Sequence, residues 1–205
     1  MRFLKIILLV LVLASQVGTS TNPAQGVLIV AEWEKIYSKT LKFEGGYQCD
    51  PKDKGNWTGG QIWIGTLKGT KYGISAASYP NLDIKSLTED QALVIYRRDY
   101  WQVMHLAAID SNRIAWKTFD IAINCGQWTA AKILQRSVGV EPDGIIGNLT
   151  LKAVNEASEK ETLAQLVHWQ QHHYLSIRNS MNDKFFKGWM IRSEETGFEL
   201  ENLQY

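Results

Sequence analysis

A succession of capped helical segments after residue 88 constrains the fold more than any other feature of the sequence. The string "TEDQ" is a capping box, in which Thr88 caps a helix and Gln91 follows three residues later. Apolar residues within 112–126 recur at three- and four-residue steps up to Gly126, which predicts an amphipathic helix with a glycine stop. Similar patterns predict helices at 128–139, 149–157 and 160–179.

The stretch before these helices has a different character. Residues 31–44 place their apolar side chains on one helical face, and Gly45–Gly46 supply a stop. Residues 50–86 are rich in glycine and contain two short β-prone strings, "QIWIG" and "KYGIS". The sequence therefore predicts a mostly helical α+β protein, with a small β or loop lobe and a C-terminal helical region.

The composition supports a folded protein and excludes one class of function. The chain has 205 residues and is 45% hydrophobic, which is enough for a core. Its formal net charge is +1, whereas nucleic-acid-binding proteins usually carry a strong basic excess, so we expect no nucleic-acid partner. The eight tryptophans have two interpretations: core packing, or a groove that stacks flat ligands such as sugars.

The N-terminal segment has the layout of an export signal. Arg2 and Lys5 precede the apolar run Ile6–Ala14, and polar residues follow it. This run is far shorter than the ~20 apolar residues of a stable membrane span. Two alternatives stay open: a cleaved signal peptide within residues 1–28, or an uncleaved anchor in residues 3–20 that associates transiently with the inner membrane. Both place the protein in the periplasm or cell envelope.

Two cysteines and a pair of histidines carry weaker signals. In an oxidising compartment Cys49 and Cys125 can form a disulfide, but two free thiols fit the sequence equally well. His168 and His172 lie one helical turn apart, but the residues between them are not acidic and no third ligand stands out. We therefore expect no metal and no organic cofactor.

The candidate for acid catalysis is Glu44, at the predicted end of the first helix. A helix C-terminus carries partial negative charge, which favours the protonated form of a carboxyl group. Phe43 and Tyr47 would reduce solvation of that group and act in the same direction. Asp50 and Asp53 follow in the next loop, and two carboxyl groups flanking a bond are the apparatus of glycoside hydrolysis. The alternative is an ordinary solvated helix end.

The string "EGGYQCDPKDKGNWT" at 44–58 resembles the signature of glycoside hydrolase family 108, a lysozyme-like family of N-acetylmuramidases found among phage endolysins. The residues in register with that signature are Glu44, Gly45, Gly46, Tyr47, Asp50, Pro51, Asp53, Gly55 and Thr58. Later strings resemble the family's remaining blocks in order, namely "KYGIS", "RDYW", "FDIAINCG", "LQRSVGVEPDGIIGNLTLKAV" and "KGWMIR". The last half is similar to the peptidoglycan-binding module that usually accompanies this hydrolase.

The resemblance implies roles for individual residues of the signature. It assigns the catalytic acid to Glu44. By analogy with phage-type lysozymes, Asp53 and Thr58 would place the attacking water. Substrate contacts are expected from Tyr47, Asp50 and Tyr72.

The chain departs from the family pattern at two places. Asn56 stands where the pattern has its second glycine, and the segment 59–70 separates the signature from the "KYGIS" string. These departures leave the path of the loop open. They also leave open whether Asp50 or Asp53 is the second carboxylate.

The function implied by the resemblance is that of an exported, endolysin-like muramidase acting on bacterial peptidoglycan. It would cleave the β-1,4 bond between N-acetylmuramic acid and N-acetylglucosamine, and we expect a monomer. The predicted organisation is a signal or anchor in 1–28, a lysozyme-like domain in 29–124 and a helical peptidoglycan-binding domain in 125–205. Two alternatives remain, a lytic transglycosylase, which uses one glutamate and no water, and a non-catalytic wall-binding module.

The two interpretations of the N-terminus predict different mature proteins. A cleaved signal gives an envelope protein that begins after residue 20, whereas an anchor gives one that retains the apolar run. Intact-mass measurement of protein purified from the envelope distinguishes them. A mature chain that starts after residue 20 would contradict the anchored alternative.

Overall fold

The computed structural model describes Trp33, residues 46–180 and residues 183–196. Two strands, β1 (Thr70–Lys71) and β2 (Ile74–Ser75), precede the long helices. The α-helices after them are α1 (Glu89–Tyr96), α2 (Asn112–Cys125), α3 (Gln127–Ser137), α4 (Asn148–Glu156), α5 (Glu159–Ile177) and α6 (Asp183–Glu194). Short 3-10 turns occupy Lys54–Asn56 and Leu106–Ala108, and a π-helical turn occupies Arg97–Gln102. This mostly helical arrangement with a small sheet confirms the predicted α+β class.

Two predicted elements lie outside the described residues. They are the N-terminal signal or anchor and, apart from Trp33, the helix predicted at 31–44. Within the described ranges, every helix is too short or too polar to cross a membrane.

The helix boundaries follow the capping signals of the sequence. Thr88 and Gln91 form the predicted capping box, with Thr88 Oγ1 accepting from the Gln91 amide and Gln91 Oε1 accepting from the Thr88 amide. The hydroxyls of Ser111 and Ser158 cap α2 and α5 by accepting from the amides of Ile114 and Glu161, respectively. Gly126 ends α2 with a φ of 84°, a conformation that only glycine adopts readily.

The small sheet is a hairpin with a two-residue turn. Thr70 pairs with Ser75 and Lys71 with Ile74, which leaves Tyr72 and Gly73 at the turn. Their φ angles of 50° and 74° give the turn the positive-φ pair of a type I′ hairpin, whose twist matches that of the strands. The β-prone string "KYGIS" therefore forms most of a hairpin. The β-prone string "QIWIG" instead forms turns at the tip of a longer loop.

An aromatic cluster joins the first lobe to the central helix α2. Trp33 is buried, with its ring centroid 5.1 Å from that of Trp101 and 5.4 Å from that of Phe119. Trp101 and Tyr96 also meet Phe119 edge to face. Burial supports the core-packing interpretation for some of the tryptophans, and the ligand-stacking interpretation stays a prediction. Some are core residues, while Trp63 and Trp128 are exposed.

The last described helix, α6, is attached to α2 by polar contacts. The buried Lys117 ammonium donates to the Ser193 carbonyl at 2.7 Å, where a helix end has carbonyls without partners in the helix. One turn later, the Asp120 carboxylate accepts from the Arg192 guanidinium at 2.9 Å. The Asp120 side chain is only 2% exposed and that of Arg192 18%, so this ion pair is largely buried.

Replacement of Arg192 by Met should destabilise the protein by roughly 3 kcal/mol, because it leaves a buried carboxylate without its guanidinium. The free energy of unfolding in urea measures this loss. Lys152→Met is the matched control, since Lys152 and Glu156 form an exposed ion pair whose loss should cost less than ~0.5 kcal/mol. Equal free energies of unfolding for the two variants would contradict the structural role of the buried pair.

Candidate active site

The described part of the signature begins at Gly46, so Glu44 lies outside the described residues. The structure describes the loop that follows Glu44 in the sequence. This loop, residues 46–58, carries four of the other predicted site residues, and the fifth, Tyr72, is on the neighbouring hairpin.

The loop is anchored at Gln48. The Gln48 and Thr70 backbones exchange two hydrogen bonds of 2.9 and 2.8 Å, which add Gln48 to the edge of β1. The Gln48 side-chain amide pairs reciprocally with that of Asn56, at 3.1 and 2.9 Å. The start and the end of the loop are therefore tied to each other and to the hairpin.

Asn56 is the hub of this network. It is fully buried, and its Nδ2 donates to the Asp50 carbonyl as well as to Gln48. Its Oδ1 accepts from the Thr70 hydroxyl at 2.7 Å in addition to Gln48. All four hydrogen-bonding positions of the amide are thus used, which removes the cost of burying it. A glycine at this position would make none of these side-chain bonds.

Asp53 is held at both of its carboxylate oxygens. Oδ1 accepts from the Gly55 amide at 2.9 Å and caps the 3-10 turn, while Oδ2 accepts from Gln48 Nε2 at 3.2 Å. The side chain is nevertheless exposed to solvent. Because each oxygen retains a further lone pair, the carboxylate is positioned to accept a hydrogen bond from an outside group such as water.

Asp50 has a different local function. Its Oδ1 accepts from the Lys52 amide at 2.9 Å, and its carbonyl accepts from the Asp53 amide at 3.0 Å. This is the hydrogen-bonding pattern with which aspartate stabilises a turn. The Asp50 side chain therefore stabilises the turn, whereas the Asp53 side chain accepts a hydrogen bond from the Gln48 side chain.

Thr58 lies at the entrance of the inserted segment. Its Oγ1 accepts from the Thr66 amide at 2.8 Å, and its own amide donates to the Thr66 carbonyl at 3.0 Å. Its hydroxyl proton is left for another acceptor. Among the described residues, no hydrogen bond joins the Thr58 side chain to Asp50 or Asp53.

The inserted segment 59–70 folds back on the signature loop. Gly65 has a φ of 81°, and a Cβ there would lie 2.2 Å from the Thr58 hydroxyl, so this close approach requires glycine. At the tip, the Trp63 side chain is 75% exposed, with its ring centroid 5.1 Å from that of Trp57. The Trp57 indole in turn donates to the Pro51 carbonyl at 3.0 Å. The exposed Trp63 ring therefore contacts Trp57, which is itself hydrogen-bonded to the turn that carries Asp50 and Asp53.

The two tyrosines predicted to bind substrate have unlike surroundings. Tyr47 is partly exposed, and a hydrogen bond with the Cys49 thiol is the main cause that raises its pKa. It lines a cavity of about 330 Å³ together with Lys68 and Asp83. Tyr72 is at the hairpin turn, where its carbonyl accepts from the Tyr96 hydroxyl at 2.8 Å and its ring packs against the core.

Two family models match adjacent parts of the chain. Residues 37–126 match glycosyl hydrolase 108, and residues 129–194 match a family described as a predicted peptidoglycan domain. The chain thus joins a glycosyl hydrolase 108 domain to a peptidoglycan-binding domain. These domains make it a glycoside hydrolase directed at peptidoglycan, with a role at the cell wall, outside the cytoplasm.

A solved structure is similar to this chain over most of its length. SagA from Brucella abortus is 29% identical in sequence and superposes with a TM-score of 0.64, over 80% of this chain and 90% of that chain. No curated protein matches the chain in sequence.

A further polar cluster in the glycosyl hydrolase 108 domain was not predicted. The Tyr79 hydroxyl donates to Asp99 Oδ2 at 2.7 Å, and the Arg98 guanidinium beside it lowers the pKa of Asp99. The Asp99 carbonyl also accepts from the Gln127 side chain. The string "RDYW" contains Arg98 and Asp99, but nothing in the sequence pairs them with Tyr79 or Gln127.

The structure shows the surroundings of the two cysteines and of the histidine pair. Cys49 and Cys125 are free thiols in this structure, and burial raises the pKa of Cys125 to about 11. The rings of His168 and His172 both meet Trp169 edge to face. Within the described ranges, no three histidine, cysteine or acidic residues are arranged to hold a metal ion.

The Asn56 network predicts that a substitution at Asn56 markedly lowers the stability of the glycosyl hydrolase 108 domain. Asn56→Ala removes four side-chain hydrogen bonds and leaves the Gln48 amide and the Thr70 hydroxyl without that partner, so we expect a loss of roughly 2–3 kcal/mol in the free energy of unfolding. Urea denaturation measures it. The control is Asn81→Ala at an exposed position, and a loss at Asn56 no larger than this control would contradict the hub role.

Proposed function

We propose that this protein is an N-acetylmuramidase that hydrolyses the β-1,4 bond between N-acetylmuramic acid and N-acetylglucosamine in peptidoglycan. Glu44 protonates the glycosidic oxygen as general acid. Asp53, with Thr58, holds the water that attacks the anomeric carbon. The observation that carries the proposal is the match of residues 37–126 to glycosyl hydrolase 108, which includes Glu44 and both partners.

The geometry of the loop supports Asp53 as the second carboxylate. A residue that places water needs a fixed orientation and an open side, and Asp53 has both, because Gly55 and Gln48 hold its two oxygens while the side chain stays exposed. Glu44 precedes Gln48 by four residues, so chain connectivity alone keeps their Cα atoms within about 14 Å. The proposed acid and the proposed water-binding group therefore lie nine residues apart in the sequence, on either side of Gln48.

Substrate contacts are proposed at the edge of this loop. Tyr47 and Lys68 line the adjoining cavity of about 330 Å³, which is of a size that accommodates a small ligand. The exposed ring of Trp63 packs on Trp57 of the signature loop. Aromatic rings of this kind pack against the apolar faces of sugars, so a glycan strand crossing the loop would contact them.

Replacement of the proposed acid is the first test. Glu44→Gln should lower the rate of solubilisation of purified sacculi by roughly 100-fold or more, because general acid catalysis contributes about that factor or more. Glu141→Gln is the matched control at an exposed loop position and should retain the parental rate. Equal rates for the parent and Glu44→Gln would end the assignment of Glu44.

The second carboxylate is tested by a paired comparison. Asp53→Asn should reduce the turnover number roughly 100-fold, whereas Asp50→Asn should have a smaller effect, because the Asp50 side chain serves its own turn. A larger loss for Asp50→Asn would reverse the assignment. Mass spectrometry of the released fragments checks the reaction itself, since hydrolysis adds water to the products. Fragments with 1,6-anhydro ends would show a lytic transglycosylase instead.

A further inference from the structure

The C-terminal domain contains a groove that the proposed catalytic mechanism does not use. Helices α3 and α5 pack against each other and leave a cavity of about 330 Å³ along their seam. We call it the basic groove and define it by the side chains that carry the argument: Trp128, Lys132 and Arg136 from α3, and Trp169, His172 and Ser176 from α5. It lies within residues 129–194, which match the peptidoglycan domain, apart from Trp128 at its rim.

The α3 side of the groove is a row of one aromatic and two basic residues. Trp128, Lys132 and Arg136 follow each other at intervals of four, so they share one face of the helix. Lys132 Nζ lies 3.7 Å from the centroid of the Trp128 ring, and the Arg136 guanidinium lies 5.5 Å from that of Trp169. These contacts hold both cations against aromatic surface at the groove.

The positive charge of the groove is not balanced from within. No carboxylate is among the residues that line it, and neither Lys132 nor Arg136 forms an ion pair with a described residue. Lys132 contributes to the lowered pKa of Asp143, but the hydrogen bonds that the Asp143 carboxylate accepts from the Gln135 side chain and the Ile145 amide are larger causes, and Asp143 does not line the groove. The groove therefore complements a ligand that brings its own negative charge.

Peptidoglycan is such a ligand, because its muramic acid residues carry stem peptides with free carboxylates on an otherwise neutral sugar chain. We propose that the basic groove binds a peptide-bearing muramic acid unit of the wall. Lys132 and Arg136 bind stem-peptide carboxylates, and the exposed Trp128 ring packs against the sugar. The identity of the ligand as peptidoglycan rests on the proposed function. The chemistry of cleavage plays no part in the inference.

Binding is tested in the full-length Glu44→Gln background, so that the wall is not digested during the measurement. The probe is purified sacculi, and the readout is the amount of protein that sediments with them across a concentration series. The double variant Lys132→Gln and Arg136→Gln should bind roughly tenfold or more weakly, because two charge-assisted contacts are lost. Lys152→Gln with Lys160→Gln is the charge-matched control outside the groove and should bind as the parent does.

A second arm identifies the part of the ligand that is bound. Chitin is an insoluble β-1,4-linked amino-sugar polymer without lactyl groups or stem peptides, so it has no carboxylates and still sediments. We expect the parent to bind chitin as weakly as the double variant does, with no remaining difference between them. A double variant that binds intact sacculi like the parent, or a tenfold difference that persists on chitin, would overturn the proposal.

Cleavage is measured separately, on a short soluble muroglycan oligosaccharide with Glu44 restored. The groove variant should retain the parental turnover number on this substrate, since its residues do not belong to the signature loop. Loss of wall binding with retained cleavage supports the groove. Failure of cleavage in the parent would count against the muramidase proposal alone, because the binding assay contains no catalytic step.

Discussion

The buried side chain of Asn56 holds the loop of the candidate active site in one shape. Its amide joins three segments that are separate in the sequence: Gln48 at the start of the loop, the Asp50 carbonyl in its turn, and Thr70 on the hairpin. A buried amide is costly unless every donor and acceptor is used, so this arrangement tolerates few alternatives. Because Gln48 also bonds Asp53, the orientation of the proposed water-binding carboxylate depends on the same amide pair.

Helix α2 has a comparable role on the scale of the whole chain. Its residue Phe119 meets the aromatic rings of the first lobe, and its residues Lys117 and Asp120 bind α6 near the far end of the chain. One helix thus contacts both the hydrolase lobe and the last helix of the peptidoglycan-binding domain. Gly126 is the single residue between α2 and α3; the glycosyl hydrolase 108 match ends at this glycine, and the peptidoglycan domain match starts within α3.

How well the sequence predicts each feature depends on how far apart along the chain the interacting residues lie. The capping box at Thr88 and the stop at Gly126 were read correctly, because a helix end is decided by residues three or four positions apart. The "QIWIG" string is β-prone in sequence, yet it forms turns around Trp63, where Gly65 packs closely against Thr58 with a φ of 81°. Asn56 was seen only as a departure from a glycine pattern. Its partners Gln48 and Thr70 lie 8 and 14 residues away, and no local rule connects them.

The sequence by itself determined the helical segments, the order of the signature residues and the relationship to glycosyl hydrolase 108. Each of these depends on the types of residues that lie at short spacings along the chain. Only the tertiary structure decided which side chains meet. It brought Asp53 to Gln48, left Cys49 and Cys125 as free thiols, and formed a basic groove from two helices that the sequence pattern describes separately. The physical reason is that hydrogen bonds and charge complementarity act over a few ångströms in space, whereas the spacing of residues along a chain specifies only contacts within one helix or turn.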